Sequence, residues 1–300
     1  MNKKIVNSWA IALLASLFLL GSCGGGGMGM GGGMGDTMGV DTSQFSHITP
    51  NLEVGISTYD SAWSSDEYQL AMHHLLPFAR QGNPEAQWRV GYMFDEAEGY
   101  SEDNVRGIYW YRLAAEQNHP AGQFLYGWMH DFGEGTPLND AEGHRWYLKA
   151  AANGHVTAMF YAAINFDTGE GTPVDDFEAV RYYRMAAETG HTGAAYNLAI
   201  MLREGEGGVP VDFVEALKWF TMVAQDDGDP DAMFYVAEMH AEGEGTRKDI
   251  DTAMSWYYRS GEGYVDQGDY GEAYRVLARM NSLDPNHSAT RRLNRYIENN

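Results

Sequence analysis

From residue 82 onward, small and apolar residues fall into a pattern that restarts five times. Small residues mark the same point of each unit at Ala86, Gly122, Ala158, Ala194 and Ala232, in steps of 36, 36, 36 and 38 residues. From each marker, small or apolar residues recur at offsets of 4, 5 and 8, as in Ala158, Ala162, Ala163 and Phe166, which form one face of an α-helix. A glycine-bearing turn follows: Glu98-Gly99, then Gly-Glu-Gly starting at 133, 169, 205 and 243. Glycine there supplies the left-handed backbone that ends a helix. A second helix opens beside Asp103, Asn139, Asp175, Asp212 or Asp249, short polar side chains suited to capping free N–H groups. It carries the aromatic pairs Trp110/Tyr111, Trp146/Tyr147, Tyr182/Tyr183, Trp219/Phe220 and Trp256/Tyr257, then small residues such as Ala150 and Ala151.

Each unit is therefore a predicted helical hairpin of about 36 residues, whose apolar face stays open until a neighbouring hairpin covers it. The expected fold is all-α, a right-handed α-solenoid of antiparallel helix pairs. Its small residues let helices approach closely, and its aromatics fill the gaps between them. The fourth unit is longer by two residues, one near Gly208 and one in the stretch 225–231, both expected in turns.

The ends of the array look like caps. Residues 66–81 match only the second helix of a unit, and a short helix around 53–62 precedes them, giving an N-terminal helical cap over 51–81. The five repeats fill 82–263. Residues 264–300 are expected to form closing helices: QGDYGEAYRVLARMNSLDPNH resembles the second half of a tetratricopeptide repeat, and RRLNRYIENN is basic and amphipathic.

The opening stretch has the three-part form of a secretory signal: Lys3 and Lys4, an apolar run from Trp9 to Leu20, and a small-residue end at Gly21-Ser22. The run is too short for a spanning helix. Together with Cys23 it resembles the bacterial lipobox, which implies a signal over 1–22 and an acylated Cys23 as the mature N-terminus. Three acyl chains, each contributing about 0.8 kcal/mol per buried CH₂, would hold permanently to a membrane. Gly24 follows the cysteine where an Asp would resemble an inner-membrane retention signal, so the expected location is the outer membrane, on its periplasmic side. Cys23 is the only cysteine, so the mature fold has no disulfide. Residues 23–50 read as a Gly/Met-rich flexible tether.

These marks together resemble the Sel1-like repeat, a subclass of tetratricopeptide-like hairpins. The segment AGQFLYGWMHDFGEGTPLNDAEGHRWYLKAAANGH at 121–155 follows its pattern closely, and the resemblance covers about 60% of the chain. The departures are His130 and His240 for Tyr, Gly107 and Gly143 for Ala, and Ser260-Gly261 for Ala-Ala. The resemblance implies binding of a protein or peptide on the concave face of the solenoid. Some cysteine-rich relatives are described as β-lactamase-like, but this chain lacks their repeated cysteines and that activity is not carried over.

The formal net charge of -22 becomes -24 once the signal and its two lysines are removed. Such a chain repels nucleic acid and favours cationic partners where its field steers, although surface charge mostly governs solubility. No nucleophile elbow, phosphate loop, HExxH or paired Cys/His spacing occurs, so no catalytic residue and no cofactor is expected. Met28, Met30, Met34 and Met38 offer soft thioethers to Cu(I), against the plain reading of a low-complexity linker. His119, His155 and His191 recur once per unit, as do Glu98, Glu134, Glu170, Glu206 and Glu244. Equivalent positions in adjacent hairpins stand about 8–10 Å apart, too far for a shared metal ion. The acidic ladder instead offers an edge that attracts a basic peptide. Asp227, Asp229, Asp231 and Glu238 have EF-hand spacing, but Ala232 and Pro230 interrupt the loop.

One stripe carries the functional expectation. Trp88, Phe124, Phe160, Tyr196 and Phe234 share offset 2 in the first helix of every unit. They either belong to the core or floor a partner groove beside Arg89, Tyr92, Trp128, Tyr161, Asn197 and Tyr235. The expected function is a membrane-anchored adaptor of the bacterial envelope that is not an enzyme. The alternatives are a cell-wall-active enzyme and a metal-responsive sensor using the Met tract and histidines. The sequence leaves the oligomeric state open.

Overall fold

A computed structural model describes residues 40–299, so Cys23, the signal and most of the Met-bearing tract lie outside the described residues. Among those described, the regular structure is helical. It comprises fourteen α-helices and two short 3₁₀ turns, at Ser43–Phe45 and Glu206–Gly208.

The chain divides into two compact units, one ending at Gln117 and one starting at Asn118. The first holds α1 (Leu52–Asp60), α2 (Ser65–Arg80), α3 (Pro84–Asp95) and α4 (Asn104–Glu116). The second holds four hairpins: α5 (Pro120–Phe132) with α6 (Asp140–Ala152), α7 (Val156–Thr168) with α8 (Asp176–Ala187), α9 (Thr192–Glu204) with α10 (Phe213–Asp226), and α11 (Pro230–Glu242) with α12 (Ile250–Asp266). It closes with α13 (Tyr270–Leu283) and α14 (Ser288–Asn299). Within each unit, consecutive helices pack against one another as antiparallel pairs, the architecture of an α-solenoid.

The caps explain why helices begin and end where they do. Asp103, Asn139, Asp175, Asp212 and Asp249 each accept a backbone N–H in the first turn of a second helix, as the sequence predicts. First helices are capped by Asn83, His119, His155, His191 and Asp229, so the recurring histidines are N-caps whose Nδ1 accepts the N–H of the marker residue. Gly133, Gly169, Gly205 and Gly243 adopt the left-handed conformation at the C-cap. At the equivalent place in the first repeat stands Ala97, with φ +56°.

Small residues pair across each hairpin. Helices α7 and α8, α9 and α10, and α11 and α12 pack together, and the positions equivalent to Gly127 and Gly143 are buried alanines there: Ala163 and Ala179, Ala199 and Ala216, and Ala237 and Ala253. In the two earlier hairpins glycines take both places. A Cβ on Gly127 would lie 3.0 Å from the Gly143 carbonyl, and one on Gly143 would lie 3.0 Å from the Gly127 carbonyl and the Asp131 Cβ. Gly91 and Gly107 repeat this arrangement. Gly107 and Gly143 are thus the matching halves of closer helix contacts. Ser260-Gly261 has a similar origin: Ser260 Oγ donates to the Pro230 carbonyl at 2.7 Å, and a Cβ on Gly261 would meet Leu293 of α14 at 2.5 Å.

One expectation is corrected in detail. The Gly208 insertion lies in a 3₁₀ turn, but the other extra residue of the fourth repeat extends α10 to Asp226, two residues past buried Ala224, whereas α8 ends at the equivalent Ala187. An exposed helix end absorbs a residue as readily as a turn does.

Candidate functional site

The offset-2 aromatics divide between core and surface. Phe160 and Tyr196 are only 4% and 3% exposed, whereas Trp88, Phe124 and Phe234 are half-buried. In the first unit, Trp88, Arg89 and Tyr92 of α3 gather around Tyr59 of α1, whose ring makes edge contacts with Trp88 at 5.9 Å and Tyr92 at 6.3 Å. The Arg89 guanidinium is buried, lies 4.3 Å from the Trp88 ring, and pairs with Glu85 and with Asp60 at 3.1 Å. Helix α1 therefore lies over this part of the stripe.

In the second unit the stripe forms two ring clusters. The first is built from α5 and α7. Phe124 stacks on His155 at 4.6 Å and lies 5.8 Å from Tyr161, and Trp128 meets the Tyr161 ring edge-on at 5.3 Å and Phe132 at 4.1 Å. Phe132 is 51% exposed and Trp128 and Tyr161 are half-buried, so three rings reach the surface together. Phe160 sits beneath them, stacked on His191 at 4.5 Å and 5.7 Å from Tyr161.

The second cluster joins Tyr196, Phe220, Tyr235, Phe234 and Tyr257, with Tyr235 stacked on Phe220 at 4.7 Å. Cations cover it: Arg203 lies 5.5 Å from the Tyr235 ring and pairs with Glu244 at 2.7 Å, while Arg275 of α13 lies 5.0 Å from the Phe234 ring. Asn197 stands between the clusters and donates from Nδ2 to the Tyr183 hydroxyl at 3.2 Å.

Beneath the rings runs a set of polar pairs absent from the sequence reading. The second residue of each aromatic pair is fully buried, and where it is Tyr its hydroxyl donates to an acid of its own hairpin. Tyr111 donates to Asp95 at 3.1 Å, Tyr147 to Asp131 at 3.0 Å, Tyr183 to Asp167 at 3.3 Å, and Tyr257 to Glu238. In the fourth repeat the aromatic is Phe220, and the position of Asp95, Asp131 and Asp167 is taken by Arg203, so donor and acceptor vanish together. Burial raises the Asp131 carboxyl to about 6; the Tyr147 hydrogen bond opposes this, and the charges of Glu170 and Asp140 add to it. Its Oδ1 is buried without a hydrogen-bond partner, directly preceding exposed Phe132.

The remaining candidates scatter. Among the described residues, no group of three or more His, Cys, Asp or Glu is arranged to hold a metal ion. Asp229 is an N-cap, Asp231 receives the Tyr264 hydroxyl, and Glu238 pairs with Arg279 at 2.7 Å, which divides the EF-hand-spaced acids among separate partners. The glutamate ladder is not uniform, since Glu244 is held by Arg203 whereas Glu98 Oε2 is buried with no hydrogen-bond partner. No described helix is long and apolar enough to cross a membrane.

Tandem antiparallel hairpins presenting an aromatic first-helix face define a helical-repeat scaffold. The Sel1 repeat pattern matches residues 84–119, 120–155, 156–191, 192–227 and 230–265, more than half of the chain, and the protein belongs to this family. It is similar to a Sel1 repeat protein from Oxalobacter formigenes of known crystal structure, with 32% identity, a TM-score of 0.63, and coverage of 71% of this chain and 85% of that one. A protective antigen of uropathogenic Escherichia coli displaying an SLR fold shares 25% identity over 77% of this chain and 56% of that one, with a TM-score of 0.47. No curated protein matches. Sel1 repeat proteins are generally non-enzymatic scaffolds that bind protein partners.

Proposed function

We propose that the protein is a lipid-anchored scaffold of the bacterial envelope that holds a protein or peptide on the first-helix face of its second and third repeats. One observation carries this reading: Trp128, Phe132 and Tyr161 form a contiguous aromatic surface beside Asp131, whose Oδ1 lacks a partner. Large rings flanked by an unsatisfied acceptor are the side chains that dominate binding energy at protein interfaces. The acceptor and the net charge of -22 favour a partner that presents hydrogen-bond donors or positive charge. Nucleic acid is disfavoured by the same charge.

The anchor rests on Cys23 following a short signal-like run, and on Gly24 for placement at the outer membrane, facing the periplasm. Palmitate labelling lost in Cys23→Ser supports the anchor, and unchanged labelling refutes it. Affinity capture from envelope extracts with the wild type and with Trp128→Ala plus Tyr161→Ala tests the face. The reading requires specific partners that the double variant loses while its helical circular dichroism is retained, and partners kept at equal yield would refute it.

A further inference from the structure

The turn of the first repeat departs from the turns of its relatives in three places at once. Ala97 replaces the C-cap glycine found at 133, 169, 205 and 243, Tyr100 stands where Thr136, Thr172 and Thr246 stand, and Tyr68 of α2 occupies the register held by Asp140 and Asp176. A left-handed Ala is strained, and a hairpin turn needs no tyrosine. Together these residues, with Trp63, Glu98 and Gly99, line a cleft of about 550 Å³ in the first unit.

Trp63 is 94% exposed, although it stands where a hydrophobic staple would be made. Ser64 and Glu67 form the capping box of α2: Ser64 Oγ accepts the Glu67 N–H at 3.4 Å, and Glu67 accepts the Trp63 N–H at 2.8 Å. The staple partner would be Tyr68, but at that exposure the indole is not clamped onto the helix. Of the groups lining the cleft, Glu98 Oε2 and the Tyr100 hydroxyl are buried with no hydrogen-bond partner. Two unsatisfied acceptors at one floor each carry a desolvation cost that a bound donor would relieve. Among the described residues, no Lys, Arg or His lines the cleft.

We propose that this cleft is a recognition site for a lysine ammonium presented by a partner polypeptide. Aromatic rings attract a cation over their faces, and a buried carboxylate oxygen completes its coordination. An ammonium suits the floor better than a guanidinium does. The unpartnered oxygens belong to two different side chains and do not form the two-oxygen carboxylate edge that an arginine fork engages, whereas a point charge with three rotatable donors can use Glu98 Oε2 and the Tyr100 oxygen separately. The site lies in the first unit and does not depend on the aromatic face of the second.

The test uses the full chain in neutral detergent, labelled with 5-fluorotryptophan, with the Trp63 ¹⁹F resonance assigned through Trp63→Phe. The probes are N-acetyl-lysine amide, its norleucine isostere and N-acetyl-arginine amide. The lysine probe shifts the Trp63 resonance saturably. Affinity falls about tenfold or more with norleucine and in Glu98→Gln, and severalfold with arginine and in Tyr100→Phe, which keeps the ring and removes only the hydroxyl. Equal affinity for norleucine or arginine, no saturation with lysine, or unchanged affinity in folded Glu98→Gln or Tyr100→Phe would each overturn the proposal.

Discussion

The buried position seven residues after each marker is Met93, Met129, Met201 and Met239 in four repeats and Asn165 in the third. Asn165 is 2% exposed, and its Nδ2 has no hydrogen-bond partner. An unsatisfied buried amide costs about 1–3 kcal/mol. Asn165→Met removes that cost and restores the side chain that fits the equivalent place in the flanking repeats. The larger side chain subtracts about 1 kcal/mol for imperfect packing. Taking the middle of that range, the expected net gain is about 1 kcal/mol, which for a unit of this size raises Tm by about 2–4 °C. Thermal unfolding followed by circular dichroism, with urea midpoints as a second measure, reads the change. Asn165→Asp, nearly identical in size, moves the other way by several kcal/mol because it buries a carboxylate. A Met variant with unchanged or lowered Tm would show that the amide is satisfied in solution, and the reasoning from its isolation would fail.

Three further outcomes follow from the caps and the hairpin contacts. Burial, aided by the charge of His119, pushes His155 down to about 4 from 6.5, so its stabilising contribution is complete above pH 6.5 and drains away as pH falls towards 4. His155→Asn keeps the N-cap, as Asn83 does in the first repeat, and removes the titration; the stability of the variant relative to the wild type should rise by about 1 kcal/mol between pH 7 and pH 5 in paired urea melts, allowing for partial solvent screening. Ala97→Gly relieves a left-handed alanine and should raise the stability of the first unit by about 0.5–1 kcal/mol, read by hydrogen exchange of α3 and α4. Gly143→Ala drives a Cβ against the Gly127 carbonyl and the Asp131 Cβ, and should cost about 1–3 kcal/mol in a thermal melt, with no effect if those helices can separate freely.

The hairpins were legible because each signal is local. A cap residue, an apolar period and a left-handed glycine act within one turn of chain, and they place Asp175, Ala163 and Gly169 without reference to distant residues. The fate of the offset-2 ring was not legible, because it depends on what a neighbouring helix brings to it. The same histidine stack is made on Phe160 by His191 and on Phe124 by His155, yet Phe160 is buried in the core and Phe124 remains half-buried beside Trp128 and Tyr161. The recurrence of His119, His155 and His191 was visible, but their use as N-caps required seeing that Asn83 and Asp229 hold the same register. The Tyr–Asp pairs join residues 16 apart across a hairpin, a spacing that recurs every 36 residues but matches no local helical period. Their traces in the sequence are the in-register recurrence of Asp95, Asp131 and Asp167 with Tyr111, Tyr147 and Tyr183, and the joint change to Arg203 and Phe220 in the fourth repeat. Trp63 lies outside the repeats, where periodicity says nothing, and only its exposure draws notice.

The central claim is that a partner docks on the Trp128, Phe132 and Tyr161 surface. Photo-crosslinking in living cells from p-benzoylphenylalanine tests it most directly when placed at Phe132, with placement at Phe177 of α8, which is similarly exposed, as the control. The account predicts a discrete adduct from position 132 that disappears when Trp128→Ala and Tyr161→Ala are added, and none of comparable yield from 177. Adducts from 177 alone, or an adduct from 132 indifferent to the two substitutions, would contradict it.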